Sequence, residues 1–316
     1  MAASAWTEIS IKAHMTSHTK PTTMTRRLRE LLARPQALMA PGAADALTAR
    51  LVARQGFEAI YMSGAGTTAV RLGMPDIGLL TMGEMADNAQ RIAEASGLPL
   101  VADADTGYGG VMNVRRTVRA YERAGVAGIH IEDQQWPKRC GHLAGKSVIP
   151  VGDMVSKVKA ATDARHDHDF VIIARTDALA VEGFDAAMAR CHAYAQAGAD
   201  MIFMEAPSQR EHLEAVPQQI KVPTLYNMAS SGKTPFLGID EIGRMGYKLV
   251  IYPNYALLSA ITAIEKTLAT LRQTGTVADI APHITNFQQF FDLLGMREVQ
   301  ELEARFGVDD THRVGY

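Results

Sequence analysis

The chain has 316 residues, 47% of them hydrophobic and 21% charged, with 32 basic against 34 acidic side chains for a formal net charge of -2. This is ordinary globular usage, which excludes a disordered chain, a collagen-like repeat and a coiled coil. The balanced charge lacks the basic excess of a nucleic-acid footprint, and no window of about 18 uninterrupted apolar residues offers a membrane span. Two cysteines, Cys140 and Cys191, are too few for a disulfide framework, so a reducing, cytoplasmic setting is expected.

Residues 1–23 are rich in Ser, Thr and small residues, with no sustained period and no apolar core of a secretory signal. They read as a disordered extension, with a transit peptide as the alternative and Met24 as an alternative start. Regular structure begins at Met24, where Leu28, Leu31 and Leu32 share one face of a short helix. From there short apolar runs alternate with helical patterns. The runs are 37–40, 59–62, 98–102, 128–131, 170–174, 201–204, 224–226 and 249–252. Apolar residues throughout, rather than at alternate positions, mean burial on both faces, as in a parallel sheet covered by helices. Amphipathic segments at 114–124, 154–164, 184–197 and 239–245 lie between them. Three end in Ala124-Gly125, Ala197-Gly198 and Met245-Gly246, where glycine closes a helix in the left-handed conformation.

Eight such units predict a closed (β/α)8 TIM barrel over residues 24–275. A doubly wound open sheet is the competitor. It would show a glycine fingerprint after its first strand, and Pro41-Gly42-Ala43-Ala44 is not one. Residues 276–316 read as a C-terminal helical extension, with 280–306 as extra helix. Its stripe of Phe287, Phe290, Phe291, Leu294, Val299, Leu302 and Phe306 needs a groove to fill, such as one on a second subunit.

In a barrel, chemistry sits at the carboxyl ends of the strands. Seven of the eight runs are followed by polar groups: Ser63-Gly64-Ala65-Gly66, Asp103 and Asp105, Glu132 and Asp133, Arg175 to Asp177, Glu205, Asn227, and Tyr252 with Asn254. Asp103, Asp105 and Glu132 make an acidic cluster that is costly unless neutralised. An oxygen-only set suits Mg²⁺ or Mn²⁺; pairing with Arg175 or Arg139 is the alternative. The Ser63–Gly66 turn can aim backbone N–H groups at an anion, or be a plain tight turn. The loop Lys138-Arg139-Cys140-Gly141-His142 joins two cations, a thiol and an imidazole on a connection able to close as a lid. Neighbouring cations are expected to lower the thiol's pKa and fit it as proton donor or nucleophile. Cys191, within a helical pattern, reads as a small buried hydrophobe.

These residues resemble the isocitrate lyase/phosphoenolpyruvate mutase superfamily. YMSGAG, MPDIG, VADADTGYG, IEDQ…PKRCGH, ARTDA, the Glu205 strand end and YNM stand in that family's order, over about residues 26–300. KRCGHLAGKSVIP is most similar to the branch that cleaves methylisocitrate, 2,3-dimethylmalate and related substituted malates. The resemblance implies a Mg²⁺-dependent carbon–carbon lyase that releases an α-keto acid such as pyruvate and a second carboxylic acid. It implies that Ser63, Gly64, Ala65 and Gly141 hold substrate and that Asp105 ligates Mg²⁺ directly. Asp76, Asp103 and Glu132 would act largely through waters. Arg175 would neutralise the developing oxyanion, Glu205 and Asn227 would bind the departing acid, and Cys140 would be the general acid with His142 in support. Tyr61 would help to remove the hydroxyl proton. It also implies a homotetramer of dimers that swap their C-terminal helices.

Two departures favour a smaller alkyl-substituted malate over a tricarboxylate. Leu143 stands where methylisocitrate cleavers carry arginine, and Ala229-Ser230-Ser231 replace a Thr-Glu-Phe-like stretch. The alternatives are a methylisocitrate lyase, a phosphonate mutase of the carboxyphosphonoenolpyruvate type and an oxaloacetate hydrolase. A Schiff-base aldolase would need a strand-end lysine, and none follows the runs above.

Overall fold

The computed structural model describes residues 22–143, 145–309 and 312–314; the extension expected at 1–23 lies outside them up to residue 21. The eight apolar runs are eight strands: β1 (Leu38–Pro41), β2 (Ile60–Met62), β3 (Leu100–Asp103), β4 (Gly128–Glu132), β5 (Val171–Thr176), β6 (Met201–Met204), β7 (Leu225–Asn227) and β8 (Leu249–Tyr252). All pair in parallel. β2 to β6 run in sequence order, and β1, β8 and β7 form a second set. Single parallel bridges, Gly42 to Tyr61 and Ile202 to Thr224, join the two sets on both sides, so the sheet closes into a barrel. The open-sheet alternative falls.

Apart from β1, whose Met39 is exposed, the strands are largely buried on both faces for a simple reason. Their alternate residues point into the barrel or out against the helices. Ala40, Val101, Ile173, Phe203, Leu225 and Ile251 point inward and form one buried cluster with Leu28, Leu31 and Leu32. The helix Met24–Leu32, capped by the Thr23 hydroxyl, therefore closes the barrel floor. Ile129, Ile131, Ile172, Ala174 and Ile202 point outward and pack on the surrounding helices in a second cluster. The helix-ending glycines read from sequence do adopt positive φ, at 76° for Gly125, 104° for Gly198 and 113° for Gly246.

The chain after β8 differs from the expectation in two ways. The segment 280–306 is not one helix. It is a 3-10 turn, Ala281–His283, followed by helices Phe287–Leu293 and Met296–Arg305, broken at Gly295 with φ 88°. The preceding helix, Tyr255–Thr274, has no buried residue. Its Leu258, Ile261, Ile264, Leu268 and Leu271 recur every three or four residues and are all exposed, an apolar face that none of the described residues buries. Phe287, Phe290, Leu294, Val299, Leu302 and Phe306 are exposed as well. The unpartnered surface thus starts at Tyr255, earlier than the sequence pattern suggested. No helix among the described residues is long and apolar enough to cross a membrane.

Candidate active site

The site is the top layer of the barrel interior. Inward-pointing positions are apolar at the floor and polar at the carboxyl end, and strand register sets the polar ones side by side. Asp103 pairs with His130 across β3 and β4, and Glu132 with Arg175 across β4 and β5. Asp103, Glu132 and Arg175 face a cleft of about 640 Å³, including its solvent-open mouth, lined also by Tyr61, Ser63, Ala65, Asp76, Cys140, Gly141, His142, Glu205, Asn227 and Asn254. Of the residues singled out in the sequence, Gly64 and Asp105 do not line it. Both back the Asp103 carboxylate instead: Gly64 N–H donates to Oδ2 at 3.1 Å and Asp105 N–H to Oδ1 at 2.9 Å.

The acidic cluster is buried, and its charges do not cancel. Asp76, Asp103, Asp105 and Glu132 are met by Lys138, whose Nζ lies 2.6 Å from Asp76 Oδ1 and 2.5 Å from Asp105 Oδ1, and by Arg175 Nη1, 3.2 Å from Glu132 Oε2. Arg175 is itself divided, because its Nε and Nη2 bond the two oxygens of Asp177 at 3.0 and 3.1 Å. Burial, with Asp103 and Asp76 nearby, pushes the Asp105 carboxyl up to about 7 against the pull of Lys138. Burial likewise raises Glu132 well above the ordinary carboxylate range. Burial opposes ionisation of Asp103 too, yet nearby Lys138, Arg175 and the Asp105 N–H hold it low. Glu132 Oε1 is buried and accepts no hydrogen bond among the described residues. Among the described residues no three His, Cys, Asp or Glu side chains converge as a ready metal-binding group, but a buried surplus of carboxylate with an unused oxygen at Glu132 is what a hard divalent cation would satisfy.

On the other side of the cleft, Glu205 gathers donors. His142 Nε2 lies 2.8 Å from its Oε1, and Asn227 Nδ2 donates to both oxygens at 3.2 and 3.3 Å. Burial works against the charge, but Arg175, His142 and Lys146 outweigh it and hold Glu205 at about 2. The loop that carries His142 lies closed over the cleft. Lys146 Nζ donates to Gly141 O at 2.5 Å and to Asp177 Oδ1 at 2.8 Å, and Lys233 Nζ donates to His142 O at 2.7 Å. Gly141 is required by space: a Cβ there would stand 2.8 Å from Glu205 Cγ.

Two local expectations need correction. The Cys140 pKa is raised, not lowered. Burial is the main cause, and Arg175 only partly offsets it. Lys138, expected to activate the thiol, is turned to Asp76 and Asp105 instead. A protonated thiol is the result, which suits an acid better than a nucleophile. The segment Ser63-Gly64-Ala65-Gly66 is not a free-standing turn either. It starts the helix Gly64–Leu72, where Ser63 Oγ accepts from Gly66 N–H at 3.3 Å. With Gly64 N–H given to Asp103, two of its four backbone N–H donors are already used.

Sequence reasoning missed several partners. His130 was hidden inside a run counted as apolar; it is fully buried, with Nε2 2.8 Å from the Tyr61 hydroxyl. Burial lowers His130 to about 4 and raises Tyr61 well above its usual value, so both are neutral. A period-two reading of β4 would have set His130 on the same face as Glu132. Lys146 carried no such signal, and Asp177 and Ser231, though named in the sequence, gave no sign of their partners; Ser231 Oγ lies 2.7 Å from His142 Nδ1. Their contacts come from loops distant in sequence.

Residues 28–272 match the family described as phosphoenolpyruvate phosphomutase. The chain belongs to this family. It is 45% identical over 280 residues to the 2,3-dimethylmalate lyase of Eubacterium barkeri, covering 89% of this chain and 97% of that one. It is 43% identical over 277 residues to the 2-methylisocitrate lyase of Aeropyrum pernix, covering 88% and 89%. Among solved structures, oxaloacetate acetylhydrolase in complex with 3,3-difluorooxalacetate superposes with a TM-score of 0.87 at 38% identity, over 92% of this chain and 99% of that one. Named relatives are lyases, and the family is one of carbon–carbon lyases and mutases.

Within this family member, the two departures noted in the sequence fall in different places. Ala229, Ser230 and Ser231 line the central cleft. Leu143 does not; it is exposed and lines a separate hollow with Leu179, Phe184 and His212, outside the loop.

The raised Cys140 pKa has a direct consequence. A thiol held above its ordinary value carries less thiolate at any pH below that value, and thiolate is the form that is alkylated. Iodoacetamide should therefore modify Cys140 more slowly than a free thiol at pH 8, with the rate still climbing above pH 9. Mass-spectrometric mapping that found Cys140 modified faster than a free thiol at pH 7 would contradict the closed, buried geometry.

Proposed function

We propose that this chain is a Mg²⁺-dependent oxo-acid lyase that cleaves a substituted 2-hydroxy dicarboxylate, 2,3-dimethylmalate or 2-methylmalate-like, into an α-keto acid such as pyruvate and a second carboxylic acid. The observation that carries this reading is a half-buried, protonated Cys140 thiol on the loop that closes the cleft holding Arg175 and the acidic cluster. Asp76, Asp103, Asp105 and Glu132 would hold Mg²⁺, with Mn²⁺ as a substitute. Bound there, the ion would supply positive charge to the substrate's oxygen as it becomes a carbonyl.

The substrate hydroxyl at C2 loses its proton; the protonated Tyr61 hydroxyl, hydrogen-bonded to His130, would relay that proton as it passes on its own, and is not the terminal base. The C2–C3 bond breaks and leaves the keto acid. Its electron pair moves to C3 and spreads into the C3 carboxylate. Arg175 faces the developing negative oxygens, and Glu205 with Asn227 orients the departing acid. Cys140 returns a proton to C3, with His142 setting the loop. Ser63, Gly64, Ala65 and Gly141 complete the substrate's surroundings.

One observation favours a second reading, methylisocitrate cleavage. Leu143 lies outside the cleft, so the missing arginine counts less against a tricarboxylate than its place in the sequence suggests. Ala229, Ser230 and Ser231 still support the smaller substrate, since they offer no cation to a third carboxylate.

The barrel domain is placed at 24–275 and the extension at 276–316. The apolar face of Tyr255–Thr274 and the aromatic extension are read as the surface that swaps between subunits of a homotetramer. Both cysteines are free, as a cytoplasmic protein would have them.

Four measurements test this reading. A panel of 2-methylmalate, 2,3-dimethylmalate, methylisocitrate, isocitrate, oxaloacetate and phosphonopyruvate, with keto-acid or phosphoryl products followed, should give highest kcat/KM on a dialkyl or monoalkyl malate. Cys140→Ala should then lose more than about tenfold on that substrate, or about 1.4 kcal/mol in the barrier, with its melting temperature unchanged. Excess chelator should abolish turnover, and Mg²⁺ or Mn²⁺ should restore it; full activity under chelation would exclude the metal. Sedimentation of the full-length protein at micromolar concentration should give a tetramer, and a stable, active monomer would end the assembly proposal.

A further inference from the structure

Asp133 is a rim carboxylate that the cleft does not use. It directly follows Glu132 on β4 but lines no part of the cleft, and it is fully buried. Its carboxylate accepts from four donors. The hydroxyls of Thr176 and Tyr194 donate to Oδ2 at 2.7 and 2.8 Å, and Arg190 Nη1 donates to the same oxygen at 3.3 Å. The Asp177 N–H donates to Oδ1 at 2.9 Å. Arg190 and Tyr194 belong to the helix Phe184–Gln196, and Glu182 holds Arg190 Nε and Nη2 at 2.8 Å each. Asp177 in turn grips Arg175 Nε and Nη2 at 3.0 and 3.1 Å. A continuous chain thus runs from Arg190 through Asp133 and Asp177 to Arg175, and only Arg175 reaches the cleft.

We propose that Asp133 is a positioning residue for Arg175: it fixes the Asp177 backbone against the helix Phe184–Gln196 and so aims the guanidinium at the substrate's negative oxygens. This rests on the part given to Arg175 in the proposed function. Arg175 stands among three carboxylates, with Asp177 at 3.0 Å, Glu132 at 3.2 Å and Glu205 at 3.5 Å. Only Asp177 takes it by two parallel N–H bonds, the geometry that sets the plane of a guanidinium. That plane is fixed only as well as Asp177 itself is fixed, and Asp133 supplies the hold on its backbone. Precision matters here, because a displacement of about 1 Å at a group facing the reacting atoms costs on the order of a hundredfold in rate. The residue type follows from the donors. All four partners donate, so both oxygens must accept, which a carboxylate does and an amide cannot. In Asp133→Asn the Arg190 charge draws the amide oxygen to its own side, and the amide NH₂ is left facing the Asp177 N–H.

The test is a double-mutant cycle in the full-length protein with Mg²⁺ present. It has two readouts: calorimetric binding of oxalate, a planar dianion, and turnover of the best malate in the panel. Asp133→Asn should weaken oxalate binding about fivefold or more, and lower kcat about tenfold or more with KM nearly unchanged. In an Arg175→Lys background the same substitution should change either readout by less than about twofold, because its route of action ends at the missing guanidinium. A merely structural Asp133 would cost the same factor in both backgrounds, and that equality would overturn the proposal. Wild-type affinity and kcat in a folded Asp133→Asn protein would overturn it as well. Tyr194→Phe removes one donor and leaves the charge; it should act in the same direction by about threefold, again only when Arg175 is present. It decides the matter if Asp133→Asn does not fold. Coupling in oxalate binding without turnover of any malate would sink the lyase reading and leave the role of Asp133 standing. Turnover without coupling would do the reverse. Neither oxalate binding nor turnover in wild type would overturn both.

Discussion

The structure is organised around a surplus of buried negative charge at one end of a closed barrel. Four carboxylates, Asp76, Asp103, Asp105 and Glu132, share the cations Lys138 and Arg175, and Arg175 is also held by Asp177 and lies 3.5 Å from Glu205. Isolated buried carboxylates are among the most costly groups a fold can contain. Here the cost is offset only in part, which is why Asp105 and Glu132 are pushed towards the neutral form. The apolar floor beneath them, closed by Leu28, Leu31 and Leu32, supplies the rigid support such a site needs.

The lid depends on the same charges. Lys138 and Lys146 fasten the two ends of the loop, one to Asp76 and Asp105 and the other to Asp177. Between them, Gly141 lets the backbone pass against Arg175 and Glu205 where no side chain would fit. Because both lysines are spent on carboxylates, neither is free to stabilise a Cys140 thiolate. Burial under the loop is then the main force that keeps the thiol protonated.

The far end of the chain obeys a different constraint. Tyr255–Thr274 presents an apolar face of five exposed side chains, and the two helices that end the chain add exposed phenylalanines. Apolar faces of this length are stable in water only when covered. The outer cluster around the sheet already takes up the earlier helices, and no described residue buries this face; that is the observation behind the assembly proposed above.

Much of this was legible in the residues alone. Continuous apolar runs separated by amphipathic segments located all eight strands to within a residue or two, because burial on both faces leaves no polar position in the pattern. Polar residues directly after those runs marked the rim, since only strand ends reach solvent in a barrel. The sequence by itself could thus say which residues sit at the mouth: Asp103, Glu132, Arg175, Glu205 and Asn227 follow from strand position and need no coordinates. It could not say which of them touch. Whether Lys138 serves Cys140 or the carboxylates depends on distances between loops far apart in the chain, and only the closed barrel brings Asp76 to 2.6 Å from its ammonium. His130 escaped notice because one polar residue in an apolar run has no signature until strand register places it beside Asp103. Leu143, within the loop that carries Cys140 and His142, lies outside the cleft because the loop turns it away. Periodicity is local and can be read along the chain; charge pairing is a property of three-dimensional separation, and the tertiary fold alone decides it.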